Sequence, residues 1–179
     1  MLSLKKKRST PDLSNPSNLM TNINIRPANA ADVTEIHSLL MELAVFEKIE
    51  HLVEATVNST HHALFGNSPT ANALVATVEA NIIATAVYFY NYSTFIGRQG
   101  LYLEDIYVKP EYRGQGTGKR LLIELEKIAV EQNCGRMEWT VLNWNTGAIE
   151  FYENLGAQVL PEWRIVRLPA DGIKALAST

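Results

Sequence analysis

Two short stretches of this chain have the residue types and spacing to do chemistry. The first is Arg113-Gly114-Gln115-Gly116-Thr117-Gly118, with three glycines at alternate positions. Glycines so placed let the backbone turn tightly and aim several N–H groups at one anion. From Thr117 to Val130 the apolar residues Leu121, Leu122, Leu125, Ile128 and Ala129 recur at helical spacing. The anion would therefore meet a helix N-terminus, where free N–H groups and the helix dipole favour negative charge. The second stretch is Glu104-Asp105, set inside Leu101–Val108, which is otherwise aliphatic and aromatic. A single acid in a buried strand is ordinarily half of a salt bridge. Two adjacent acids there are costly unless partnered, which marks them as functional. The whole segment reads as a phosphate-binding strand–loop–helix with acids on its strand, the strand being closed by Lys109-Pro110.

Spacing decides which phosphate loop this is. A Walker loop needs a glycine five positions before its Gly-Lys-Ser/Thr, but position 113 is arginine and Gly118-Lys119 is followed by Arg120. The dinucleotide fingerprint G-x-G-x-x-G fails because the third glycine comes one residue early. What remains is Arg-Gly-x-Gly-x-Gly after a strand and opening a helix.

The elements that must position these residues can be read along the chain. At 179 residues it has the size of one domain with a proper core. A net charge of −3 gives no electrostatic reason to expect nucleic acid, and no apolar run is long enough for a membrane span. The single cysteine, Cys134, cannot form an intrachain disulfide, which points to a reducing, cytoplasmic setting and a small packed residue. Residues 1–22 carry Lys5-Lys6-Lys7-Arg8 and then a Ser, Pro and Asn rich run. They have no periodicity and no secretory apolar run, and read as a disordered leader. The sequence predicts a strand at Ile23–Arg26. A helix follows, capped by Asn29 or Asp32 and faced by Ile36, Leu39, Leu40 and Leu43, ending near Phe46-Glu47-Lys48. A second helix lies within Thr56–Leu64, then strands Ala73–Val78 and Ile82–Tyr90 and a loop over Asn91–Gln99. After the phosphate helix come a strand at Arg136–Val141, a short helix at Ala148–Leu155 ended by Gly156, a hairpin of Ala157–Leu160 with Trp163–Leu168, and a last helical turn within Asp171–Thr179. His37, His51, His61 and His62 show no metal-ligand spacing, so no metal is expected and most take a surface role. The order β α α β β β α β α β β describes an α/β (α+β) fold, a mixed sheet with helices on both faces. Residues 23–179 are expected to form one domain.

The Arg113–Gly118 loop resembles the acetyl-coenzyme A signature of the GNAT superfamily of N-acetyltransferases, and the element order is that of its fold. From Ile23 to about Leu168 the chain is similar to the diamine acetyltransferase branch, which holds spermidine/spermine and thialysine acetyltransferases. Three segments carry the likeness: Glu42-Leu43-Ala44-Val45-Phe46-Glu47-Lys48, Leu101–Val108 with Tyr112-Arg113-Gly114, and Trp144-Asn145-Thr146-Gly147 through Phe151-Tyr152 to Gly156-Ala157. Phe46-Glu47-Lys48 looks more like the thialysine enzymes. The segment after Gly156 departs from both kinds in length and sequence.

The resemblance implies residue roles. Transfer of acetyl from a thioester to an amine needs an amine freed of its proton, a stabilised oxyanion and a proton for the leaving thiolate; a general acid or base typically contributes about 10²–10⁴-fold. Tyr152 is implied as the acid, since a tyrosine of ordinary pKa, about 10, is protonated at neutral pH. Glu104 is implied as the base, acting through water. In a regular strand Tyr102, Glu104, Ile106 and Val108 share one face, and Asp105 shares the other with Leu103 and Tyr107. The family's bulge would re-aim these side chains so that both acids reach the cleft. Backbone groups of Ile106, Tyr107 and Val108 would pair with the pantetheine arm. Arg113, Gly114, Gln115, Gly116, Thr117, Gly118 and Lys119 would hold the pyrophosphate, with Arg120 adding charge, and Asn145, Thr146, Gly147, Ala148 and Tyr152 would line the cofactor's other side. Glu47, Glu104, Asp105 and Glu162 would bind the amine, Phe46 and Trp163 would be apolar walls, and Glu138, Trp139 and Thr140 would contact substrate. Acids near an aromatic wall suit a flexible dication. The expected activity is acetyl transfer from acetyl-CoA to a small diamine, polyamine or lysine-like amine by direct attack in a ternary complex. The expected assembly is a homodimer with no nucleic-acid or membrane partner. The alternatives are a GNAT enzyme acting on a protein N-terminus, a protein lysine or an aminoglycoside, and a coenzyme A-binding module without turnover.

Overall fold

The computed structural model describes residues 23–179; the leader expected over residues 1–22 lies outside them. The described chain falls into two compact units, one ending at Trp139 and one formed by Thr140–Thr179.

The first unit is built on a five-stranded sheet of order β1-β2-β3-β4-β5, with β1 Ile23–Pro27, β2 Asn72–Val78, β3 Asn81–Ser93, β4 Arg98–Val108 and β5 Met137–Glu138. The first three pairings are antiparallel and β4–β5 is parallel. Three helices accompany it: α1 Val33–Glu47, α2 Val57–Phe65 and α3 Thr117–Glu131. The apolar residues of α1 and α2, Ile36, Leu39 and Leu64, pack with Ala73 and Val75 of β2, Val87 of β3 and Tyr107 of β4. Leu74 and Ala76, pointing the other way from β2, are buried as well, and α3 contacts the same strands through its buried stripe Leu121, Leu122 and Leu125. Both faces of the sheet are therefore covered, and the mixed α/β sheet matches the expectation.

Local chemistry fixes where α1 begins and ends. Asn29 and Asp32 form a reciprocal capping box over a 3-10 turn at Ala30–Asp32 that leads into α1, while Asp32 as the N-cap of α1 itself gives the helix no side-chain cap bond. Asp32 is buried and answers Arg26 with two bonds of 2.6 and 2.9 Å. At the other end Lys48 takes the left-handed conformation (φ 62°) and returns its N–H to Ala44 and Val45, which stops the helix. Thr56 caps α2 with its side chain.

Three expectations about strands need correction. The loop predicted over Asn91–Gln99 is mostly strand: Asn91, Tyr92 and Ser93 pair with Gly100, Gln99 and Arg98. Only 94–97 connects the strands, and Gly97 supplies the positive φ of 70° there. Polar composition hid these strands, because the ladder satisfies the backbone whatever the side chains are. The strand predicted at Arg136–Val141 shrinks to two residues pairing with Leu101 and Tyr102. Pairing stops just before a bulge in β4, and a bulge bends the strand that carries it.

The second unit contains α4 Thr146–Glu153 and α5 Ala170–Ala177. Asn145 caps α4 with its side-chain oxygen, and Gly156 (φ 94°) follows its end. The predicted hairpin of Ala157–Leu160 with Trp163–Leu168 does not form: residues 154–169 hold no strand, and Val159, Leu160, Trp163, Ile165, Val166 and Leu168 are exposed. A hairpin of two short strands has too few ladder bonds and no covered face to be stable by itself. The last helix, by contrast, is longer than the single turn expected.

Candidate active site

The bulge in β4 decides which acid faces which way. Val87 pairs with Asp105 and Tyr88 with Leu103, so Glu104 is the extra residue between them. Directly paired residues share a face, so Asp105 lies with Val87 and Tyr107 on the α1 side, while Leu103 lies with Tyr88 on the α3 side. The regular-strand reading that placed Leu103 with Asp105 is thus corrected. Tyr102 joins the Asp105 face, and its ring packs 5.0 Å from Phe89. Glu104 itself is exposed.

Asp105 faces a cleft of about 200 Å³ in the first unit. One wall is a stripe of α1 at helical spacing, His37, Leu40, Met41, Leu43, Ala44 and Glu47; the loop that follows adds Ile49, Val53 and Ala55. The lining is mostly apolar, with Asp105 and Glu47 as its carboxylates. Burial pushes the Asp105 carboxyl up to about 6, and the charges of Glu104 and Glu47 push it the same way. Burial raises Glu47 too. This arrangement favours a bound cation, which would relieve both carboxylates at once.

The loop after β4 fits the pyrophosphate of an acyl-coenzyme A. Gly114 (φ 71°) and Gly116 (φ 81°) adopt left-handed conformations. A Cβ built on either meets nothing within 4 Å, so the ground before the loop is open to a ligand. Gly116 is the N-cap of α3 and offers no side chain to its first N–H groups, which leaves them to an anion. Thr117 is buried and bonds Tyr112 O at 3.2 Å, and Gln115 bonds Glu111 O at 3.1 Å; both brace the loop. Lys119 is exposed beside it. Gly118 is half-buried in the first turn of α3. Arg120 instead donates to Ile23 O at 2.7 Å, tying α3 to β1.

Arg113 does something the sequence did not suggest. Its guanidinium lies 5.2 Å from the ring centre of Phe46 and 5.1 Å from that of Tyr107, and its Nε donates to Val108 O at 2.8 Å. On the far side from β3, β4 keeps a β5 partner only at Leu101 and Tyr102. Ile106, Tyr107 and Val108 therefore have no ladder partner on that edge in the first unit. The Tyr107 side chain is buried in the core, so only its backbone could meet a ligand.

The remaining expected residues are placed as follows. Glu138 is held by Arg136, whose Nε lies 2.9 Å away, and by Asn91 Nδ2 at 3.1 Å. Trp139 is half-buried next to it in sequence. In the second unit, Thr140 is exposed, Asn145 accepts from Ala148 N at 3.3 Å, and Thr146 and Gly147 open α4. Tyr152 is half-buried with its ring 5.4 Å from Phe151. Glu162 and Trp163 are exposed. Sequence reasoning assigned no site role to His37, which lines the cleft with its Nδ1 3.3 Å from Thr60 Oγ1. The signal was available, because His37, Leu40, Ala44 and Glu47 fall on one helical stripe.

Comparison with known proteins identifies the family. Residues 33–157 match the family model described as Acetyltransferase (GNAT) family. The chain is 35% identical to the thialysine N-epsilon-acetyltransferase of Bos taurus, over 88% of this chain and 99% of that protein. It is 34% identical to the L-ornithine N5-acetyltransferase of Arabidopsis thaliana, over 85% of this chain and 86% of that protein. Its fold matches an integron cassette protein from V. cholerae with a TM-score of 0.74 at 22% identity, covering 88% of this chain and 99% of that one. The chain therefore belongs to the GNAT family of acetyltransferases, as an N-acetyltransferase that uses acetyl-CoA.

Proposed function

We propose that this enzyme transfers acetyl from acetyl-CoA to a primary amine of a small diamine, polyamine or lysine-like acceptor, by direct attack in a ternary complex within one domain over residues 23–179. The observation that carries the reading is the cleft in which Asp105 and Glu47 meet apolar walls under the β4 bulge. Carboxylates whose ionisation is opposed by burial gain most from an ammonium ligand. The apolar stretch between them and His37 suits methylene groups. Relatives named for thialysine and ornithine support an acceptor with a side-chain amine.

When bound, acetyl-CoA supplies the acetyl thioester. The N–H groups of Gly114 to Lys119 would hold its pyrophosphate, and the backbone N–H and C=O groups of Ile106 to Val108 would hold its acyl arm. Asp105 and Glu47 bind the acceptor's ammonium groups, with Phe46 as a neighbouring wall. Glu104, exposed in the bulge, takes the reacting amine's proton through water. Tyr152 would donate its hydroxyl proton to the departing sulfur, and the proton lost by the acylated nitrogen would restore the phenol. The enzyme would work as a cytoplasmic homodimer.

Equilibrium binding of cadaverine tests the cleft directly. Asp105→Asn and Glu47→Gln should each weaken the amine at least tenfold and change CoA binding less than threefold. Equal loss of both ligands, or of neither, would rule this cleft out as the acceptor site.

A further inference from the structure

We propose that Arg113 is a positioning residue that couples occupancy of the cofactor loop to occupancy of the acceptor cleft; the inference rests on the proposed function above. Arg113 opens the glycine loop, three residues before the N-cap of α3. Its side chain nevertheless turns away from the open ground before Gly114 and Gly116. It stacks on Phe46 and Tyr107, at 5.2 and 5.1 Å, and anchors its Nε on Val108 O. One guanidinium thereby touches the loop, the end of β4 and the last turn of α1.

Phe46 is the neighbour of Glu47 on that last turn, and Glu47 lines the acceptor cleft. The two side chains leave the helix in different directions, one onto Arg113 and one into the cleft. The left-handed Lys48 ends the helix immediately afterwards, and the chain passes into a 3-10 turn at Glu50–Leu52. Tyr107 has a buried ring in the α1 core, and its hydroxyl is raised by burial, then by Glu42 of α1, and eased by Arg113. Arg113 is thus the link through which the loop can feel where the end of α1 lies.

The link works by preorganisation. Arg113 is exposed, so its stack on Phe46 is one of several states available to it while the loop is free. An anion on the N–H groups of Gly114 to Gly116 fixes the loop and with it the root of the Arg113 side chain. That favours the stacked state, which sets Phe46 and so the direction of Glu47. A first ligand that settles an arrangement the second one needs gives positive coupling, and the coupling must be equal in both directions. The flat guanidinium face is essential, because a lysine ammonium in its place keeps charge but cannot stack.

The test titrates CoA into the wild-type protein with and without saturating cadaverine, then repeats both titrations with Arg113→Met and Arg113→Lys. In the wild type, cadaverine should tighten CoA about fivefold, and CoA should tighten cadaverine by the same factor. Arg113→Met should bring the factor to about one, and Arg113→Lys should fall between. Melting temperatures within a few degrees of wild type would exclude misfolding as the cause. The inference is overturned if the wild type binds both ligands without coupling, or if coupling survives in Arg113→Met. A loss of CoA binding alone above tenfold in Arg113→Met overturns it as well, since Arg113 would then be a direct phosphate contact. If the wild type binds CoA but no amine under any condition, the acceptor reading itself fails and this inference falls with it.

Discussion

Asp105 and Glu47 face one cleft from two different elements, Asp105 from β4 one residue past its bulge and Glu47 from the last turn of α1. Burial makes both harder to ionise, and the charge of Glu47 adds to the effect on Asp105. The folded Asp105 carboxyl titrates at about 6, above the ordinary carboxylate value, so the folded state binds more protons than the unfolded chain between about pH 4 and pH 6. Stability contributed by this group is full below the lower value and is lost as pH rises through the upper one. The full loss is up to about 3 kcal/mol.

At pH 7.5 the Asp105→Asn variant should therefore melt at a higher temperature than the wild type, and at pH 4 the difference should vanish. Thermal denaturation at the two pH values reads this. Cadaverine affinity of the wild type should rise as pH increases through about 6, as Asp105 ionises. A pH-independent affinity would mean that Asp105 does not hold the amine.

The bulge predicts a separation of roles between adjacent acids. Glu104 is exposed, so Glu104→Gln should change stability by less than about 0.5 kcal/mol. As the proposed base it should lower kcat about 100-fold near neutral pH, with a smaller deficit at high pH where the free amine is already present. Steady-state kinetics from pH 6 to pH 10 would show this. A uniform deficit across that range would assign the base elsewhere.

Gly116 tests the cofactor loop without steric interference. A Cβ there meets nothing within 4 Å, but the φ of 81° is strained for any side chain. Gly116→Ala should cost about 1 kcal/mol in loop conformation and weaken CoA roughly five- to tenfold, as measured by calorimetry. Unchanged CoA affinity would show that the pyrophosphate sits elsewhere.

Tyr152 lies on α4 in the second unit. Tyr152→Phe should lower kcat by about 100-fold or more while CoA affinity stays within threefold. Single-turnover rates with pre-bound acetyl-CoA would isolate the effect. An unaffected rate would remove Tyr152 from the proton path.

The first unit was legible in the sequence to the extent that local pattern determined it. The helical stripes of α1 and α3, the cap at Asn29 and the glycines of the loop all act within a few residues. The bulge at Glu104 was not legible from alternation, because one inserted residue reverses every face beyond it and only the pairing with β3 records the insertion. Nor was the stack of Arg113 on Phe46, which joins residues distant in sequence. The residues from Ala157 to Leu168 alternate like a hairpin, yet they hold no strand and remain exposed. Their pattern reports propensity, whereas a strand needs a partner.

The most direct test of the central claim is thiol release from acetyl-CoA with a panel of acceptors: putrescine, cadaverine, spermidine, ornithine, lysine, thialysine and a peptide. The account predicts rapid release with at least one small amine, far above that with the peptide, and loss of it in the Asp105→Asn variant. Tight CoA binding with no release from any small amine, or release with the peptide alone, would contradict it.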